Sequence, residues 1–113
     1  MIDIIEDLSE LNIPIYVEGD APATLPDKYF TINEDYSSDA VSADNQATQI
    51  VFEFTLKYYT IDASNLYSGL KSAMTLLKSK NYITTGEGYA NRTYKDKWFS
   101  RQCDVKKIEY ITQ

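Results

Sequence analysis

The sequence predicts an α+β fold: one mostly antiparallel sheet with two helices packed on one face, in the order α-β-β-β-α-β-β. Three observations carry this prediction. Residues 49–60 alternate apolar and polar side chains almost cleanly, which is the period of a half-buried strand. At Thr60-Ile61-Asp62 the period changes to the three-to-four spacing of a helix. Other segments rich in β-branched and aromatic residues lie before and after this pair, as strands require.

The first element is a short amphipathic helix over about 2–11, where Ile4, Ile5, Leu8 and Leu11 recur at helical spacing. Asp3, Glu6 and Asp7 suit the positive end of its dipole, and Asn12 with Pro14 ends it. Residues 13–18 read as a strand, with Pro14 placing it at an edge or at a strand start. After the turn chemistry of Gly19-Asp20-Ala21-Pro22 and Leu25-Pro26-Asp27, residues 28–33 form a second strand. Residues 34–48 hold Ser37, Ser38, Asp39, Ser42, Asp44 and Asn45, and only Val41 is aliphatic beyond alanine. They are expected to be a long, mobile polar loop.

The strand at 49–60 sets Ile50, Phe52, Phe54, Leu56 and Tyr58 towards a core. Val51, Glu53, Thr55, Lys57 and Tyr59 face water or a partner. It is long enough to cross the domain, or to project from it as an assembly surface. A helix capped by Thr60 or Asp62 then runs to about Lys80, with Ala63, Leu66, Leu70, Ala73 and Leu77 in one stripe and Asn81 as its C′ residue. A short strand at 82–85, a turn at Gly86-Glu87-Gly88 and a strand-rich segment at 94–112 follow. The slip in alternation near Lys106-Lys107 predicts a bulge there.

With 113 residues, 43% hydrophobic and 25% charged, the chain is expected to form a single domain over 1–113. Histidine is absent and Cys103 is the one cysteine. Together these exclude an internal disulfide, a Cys/His zinc cluster and a histidine base. The longest apolar run, 13–17, is far too short to cross a bilayer, and the N-terminus lacks the basic region of a signal peptide, so a soluble intracellular protein is expected.

The net charge of −6 hides a split: residues 1–62 carry 13 acids and two bases, and residues 63–113 carry four acids and nine bases. Either the halves fold onto opposite sides, so that one copy docks its basic side on a neighbour's acidic side, or they interleave and largely cancel.

No motif assembles a nucleophile, a base and an orienting group, so no enzyme activity and no cofactor are expected. Gly86-x-Gly88 is not a nucleotide fingerprint, because Asn91 stands at the third glycine position. Asp35-x-Ser37-x-Asp39 begins like a calcium loop but lacks the central glycine and ends at Gln46, so no metal is expected. Cys103 is expected to pack inside a strand. The candidate interface residues are instead Glu53, Lys57 and Tyr59 on the polar face of the long strand, Asp35, Asp39 and Asp44 in the polar segment, and Arg92, Lys95, Lys97 and Arg101. The last four interleave with Tyr94, Trp98 and Phe99. Such a pattern suits stacking on nucleic acid, or equally an edge strand guarded by its charges.

Leu11-Asn12-Ile13-Pro14-Ile15, followed by Pro26-Asp27-Lys28-Tyr29-Phe30-Thr31, resembles the start of the small tail-terminator (tail-completion, minor head–tail joining) proteins of long-tailed bacteriophages and prophages. The resemblance continues in order through Ala43-Asp44-Asn45, the strand end Tyr58-Tyr59-Thr60, Leu76-Leu77-Lys78, Tyr82-Ile83 and Gly86-Glu87-Gly88-Tyr89, covering about 8–110. Near the last strand this chain has Phe99-Ser100-Arg101 where that family has a Thr-Gly-Arg type of run. The resemblance implies a virion component assembled in the bacterial host cytoplasm. It would be a homo-oligomeric, typically hexameric ring that caps the tail tube, meets the tail-tube protein and the head-connector protein, and passes DNA through its lumen without reading sequence. It implies no membrane partner. Two other readings stay open: another neck or head-completion protein, and an acidic inhibitor that mimics DNA, suggested by the acidic first half.

Overall fold

The computed structural model describes residues 3–43, 46–84, 89–90 and 98–110. Helix α1 (Ile4–Asp7) and a 3-10 turn (Ser9–Leu11) lead into β1 (Ile15–Val17), β2 (Lys28–Ala43) and β3 (Gln46–Thr60). A second 3-10 turn (Ala63–Asn65), helix α2 (Leu66–Ser79), β4 (Ile83–Thr84), β5 (Tyr89–Ala90) and β6 (Phe99–Tyr110) complete the order. The strands form one sheet in the order β1-β2-β3-β6-β4, and β5 also pairs with β6. Every pairing is antiparallel except that of β1 with β2. This is the expected α+β layer.

The N-terminal helix is tighter than its spacing predicts. Asp3 Oδ1 caps it by accepting from Glu6 N at 3.1 Å, but after Leu8 the chain turns 3-10 and Asn12 adopts φ 56°. Asparagine tolerates this left-handed conformation, which turns the chain towards β1 before Pro14. Ile4 and Leu8 are buried on the same sheet face that α2 covers. Pro14 lies just before β1, and its carbonyl accepts from Phe30 N at 2.9 Å, so the residue without an N–H starts an edge strand.

Of the segment 34–48 expected to be a loop, residues 34–43 and 46–48 are strand. The β2–β3 ladder runs from Lys28↔Thr60 to Ala43↔Gln46, with register shifts between Glu34 and Tyr36, between Asp39 and Val41, and between Val41 and Ser42. Serine, threonine and acids hold a strand here because the pairing is to β3, whose partner β6 is in turn unbroken from Thr60↔Phe99 to Gln49↔Tyr110. The 15 residues of β3 span about 50 Å at ~3.3 Å each. The molecule measures 53 × 27 × 25 Å, so the long strands set its long axis and their far ends form an arm beyond the helices. Asp44 and Asn45 lie outside the described residues.

The expected bulge near Lys106-Lys107 is absent, since β6 keeps a single register along β3. The alternation looks broken because Lys107 occupies a core-side position at the end of the sheet. Its Nζ donates to the Lys80 carbonyl at 2.6 Å and lies 4.6 Å from the Tyr82 ring centroid. The turn expected at Gly86-Glu87-Gly88 lies outside the described residues, as do residues 94–97 and 111–112 of the strand-rich segment expected over 94–112.

Helix α2 begins later than expected, because Asp62 caps the 3-10 turn before it and not α2 itself, whose N-cap Asn65 makes no side-chain cap bond. Asp62 Oδ1 accepts from Ser64 N at 3.0 Å and from Ser64 Oγ at 2.7 Å, which lowers the pKa of the Asp62 carboxyl. The helix ends as expected: Asn81 takes φ 70°, while Tyr82 N bonds the Leu77 carbonyl and Asn81 N bonds the Lys78 carbonyl. Leu70, Ala73, Met74 and Leu77 face the sheet and close a core with Phe30, Leu56, Tyr58, Cys103 and Val105. A smaller cluster of Tyr29, Tyr59 and Trp98 forms on the opposite face.

Candidate interaction surfaces

The sheet face opposite the helices is largely polar. On it Lys57 Nζ meets Glu18 Oε1 at 3.0 Å and Lys106 Nζ meets Glu53 Oε1 at 3.6 Å. Asp35 is the unpaired residue of the first β2 bulge. Its two carboxylate oxygens accept from Asn33 Nδ2 at 3.0 Å and from Thr55 Oγ1 at 2.8 Å, which ties the bulge to β3. A hollow of about 330 Å³ lies among Asp35, Glu53, Ile83, Asp104 and Lys106. The fold therefore brings Asp35, Glu53 and Lys57 of the candidate set onto one surface.

Two candidates lie elsewhere. Tyr59, expected at an interface, is only 6% exposed: its ring stacks on Tyr29 at 4.8 Å, and Trp98 meets Tyr29 edge-on at 5.4 Å. Tyr59 sits on the nominally polar face, but β2 and the segment before β6 cover it with aromatics. Arg101 projects to the helix side, with its guanidinium 5.1 Å from the Tyr67 ring centroid. Asp39 pairs with Ile50 in the arm ladder, while Asp44, Arg92, Lys95 and Lys97 lie outside the described residues.

Of the two alternatives for the charge split, interleaving holds in the body. Strand β6 of the basic half lies beside β3 of the acidic half, and Lys106 and Lys80 pair with Glu53 and Glu10. In sequence, residues 34–50 contain four acids and no base, and of these acids Asp35 lies on the open sheet face near Lys106. Sequence reasoning allowed the 49–60 strand to project from the domain but missed that residues 34–43 pair along it, and it missed the outer face of α2 beside Tyr67.

Cys103 is fully buried in β6, and burial, with the Asp104 charge second, pushes its thiol up to about 12 from 9.0. A thiol so placed is a packing residue and not a nucleophile. Burial also raises the phenols of Tyr58 and Tyr82, the latter donating to Asp7 Oδ2 at 2.6 Å. In all three groups the folded state favours the protonated form. The stability they add is therefore present below the unfolded pKa and is lost as pH rises towards the folded one. We expect denaturant melts to show stability falling from about pH 8, by up to about 1.4 kcal/mol per pH unit while one group titrates. Cys103→Ala should flatten the part between about pH 8 and 9, where tyrosines are still mostly protonated; an unchanged slope there would contradict this assignment.

Among the described residues no group of three or more acids or thiols is placed to hold a metal ion, and no helix is long and apolar enough to cross a membrane. No family model and no curated protein matches the chain.

Proposed function

We propose that this chain is a structural subunit that acts by self-assembly. In its most concrete form it is a ring-forming terminator that caps the tail tube at the head–tail junction of a long-tailed phage or prophage. The observation that carries the proposal is the arm: a paired continuation of β2, β3 and β6 beyond the body, with the dimensions given above, on a chain whose open sheet face is also available to a neighbour. The ordered family resemblance supplies the identity of the assembly. On this reading the subunit needs neither catalysis nor a cofactor. It works in the virion after assembly in the host cytoplasm, contacts tail-tube and head-connector proteins, and lets DNA pass without base readout.

Size-exclusion chromatography with light scattering tests it, at high chain concentration with and without the tail-tube protein. We expect a ring-sized species, most populated when tubes are present. A strict monomer that ignores tubes would overturn the reading. Co-sedimentation with tailless heads instead of tubes would move the assignment to a head-completion protein. The acidic-mimic reading draws less support, because Glu10, Glu18 and Glu53 each face a lysine and do not form an uninterrupted anionic surface.

A further inference from the structure

Strand β1 ends the sheet, and among the described residues no strand pairs with its outer edge. Phe30 N donates to the Pro14 carbonyl at 2.9 Å, and Glu18 N donates to the Ile32 carbonyl at 3.0 Å. In this parallel ladder Ile15 and Val17, which alternate with those residues, turn their backbone groups away from β2. Asp20 N takes the Val17 carbonyl at 2.9 Å, so the N–H groups of both residues and the Ile15 carbonyl face a further strand. On the helix side of this edge lies a hollow of about 230 Å³, bordered by Asp3, Ile5, Val17, Ile32, Glu34 and Phe54. Ile5 and Val17 are 37% and 47% exposed, high for large apolar side chains, and both wall the hollow. We propose that this edge and hollow take an extended segment of a partner protein as an added strand, one carrying an aliphatic and a basic residue two positions apart. The proposal goes beyond the self-assembly reading and does not depend on it.

Strand addition draws its affinity from main-chain hydrogen bonds and its choice of partner from pockets for alternate side chains. Here the ladder is only three residues long, so the seated side chains must do most of the selecting. Register decides where they fall. Val17 pairs with Ile32 and shares its face, so a side chain added opposite Val17 lands beside Val17 and Ile5, where an aliphatic group buries apolar surface. Glu34 stands two positions beyond Ile32, on the same face, so the next side chain on that side of the added strand reaches Glu34 and Asp3. Residues 1–20 carry six acids and no base. Asp7, Glu10 and Glu18 are engaged by Tyr82, Lys80 and Lys57, whereas Asp3 and Glu34 border the hollow, which no base lines among the described residues. A lysine or arginine complements that rim and an acidic segment is repelled, so binding weakens as salt rises. A second copy fits poorly, because residues 92–101 hold no aliphatic residue, and Lys57, Lys106 and Lys107 lie in interior strands already paired.

The probe is an end-blocked peptide, Thr-Lys-Thr-Leu-Thr-Lys-Thr, which presents the pattern in either strand direction. Titrated into the isotope-labelled full chain, it should move the amide resonances of Ile5, Ile15 and Val17 saturably. Glutamate in place of both lysines, or serine in place of the leucine, should weaken binding about tenfold or more. On the chain, Glu34→Lys and Val17→Ser should each weaken it about threefold or more. Both positions are exposed, so folding is kept, and Glu34→Lys carries the test alone should Val17→Ser disturb β1. The proposal is overturned if the lysine peptide moves none of these amides, if the glutamate peptide binds as well, or if the shifts scatter over acids elsewhere without saturating. Movement of the same amides when the chain alone is concentrated would put a second copy on the edge and overturn the assignment to a foreign partner. Ring formation is read separately by the sizing experiment, so its failure and the failure of this site are distinct results.

Discussion

Gly69→Ala should destabilise the protein by about 1–3 kcal/mol, although alanine is the better helix former by about 1 kcal/mol. Gly69 lies in the first turns of α2, directly over the Tyr58 ring. A methyl group added there would overlap that ring and stand 2.8 Å from its Oη. The ring cannot easily retreat. Tyr58 is 1% exposed, packs against Phe30 at 4.9 Å between centroids, and its hydroxyl donates to Asn65 Oδ1 at 3.2 Å, within the segment that starts the helix. The added methyl must therefore lift α2 from β3 or push Tyr58 into Phe30, and both disturb the centre of the main core. In a Tyr58→Ala background the obstruction is gone, and Gly69→Ala should become neutral or stabilising through helix propensity alone. Urea melts of the four chains give a coupling of about 2 kcal/mol if this is right. A Gly69→Ala chain as stable as the wild type would show that the helix does not rest on Tyr58.

What could be read from the residues follows from how many faces each element buries. Strand β3 over 49–60 and helix α2 were legible because each buries one face, which imposes a period. Phe54, Leu56 and Tyr58 fall in step, as do Leu70, Ala73 and Leu77. Asn81 was legible because its local conformation has few alternatives. The arm was not, since a hairpin that leaves the body has no core to keep Ser, Thr and Asp in step, and polarity without period looks like a loop. Lys107 misled for a related reason: at the rim of the core a long side chain serves a core-side position by reaching a carbonyl and a ring. Of the candidate surface, the Glu53 and Lys57 positions were legible from alternation alone. The salt bridges that interleave the two charged halves depend on β6 lying beside β3, which no local window records.

Tyr59 marks the same boundary, and it leads to the second large effect. Trp98→Ala is expected to remove about 3–5 kcal/mol, a large share of the roughly 5–15 kcal/mol that holds a domain of this size. Trp98 is 6% exposed although it packs on the face opposite the helices, where it closes over Tyr29 and Tyr59 with Tyr16, Leu25 and Ile61 at the margin. Register assembles this cluster: Tyr29 pairs directly with Tyr59 across β2 and β3, and their rings lie 14° from parallel. Tyr59→Ala should consequently lower the melting temperature by an amount independent of protein concentration, and Tyr29→Ala should couple to it by about 0.5–1.5 kcal/mol. A contact between copies behaves otherwise, since its loss leaves the isolated chain's melting unchanged and alters only the concentration dependence of assembly. The lone tryptophan also provides an optical readout: its emission should be blue-shifted in the folded chain and move red in a single step with the urea transition. Red-shifted emission in the native chain would mean that Trp98 faces water. The aromatic cluster would then have to be reassigned to the assembly surface, because three rings left open on one sheet face would form an apolar patch that a second copy could cover.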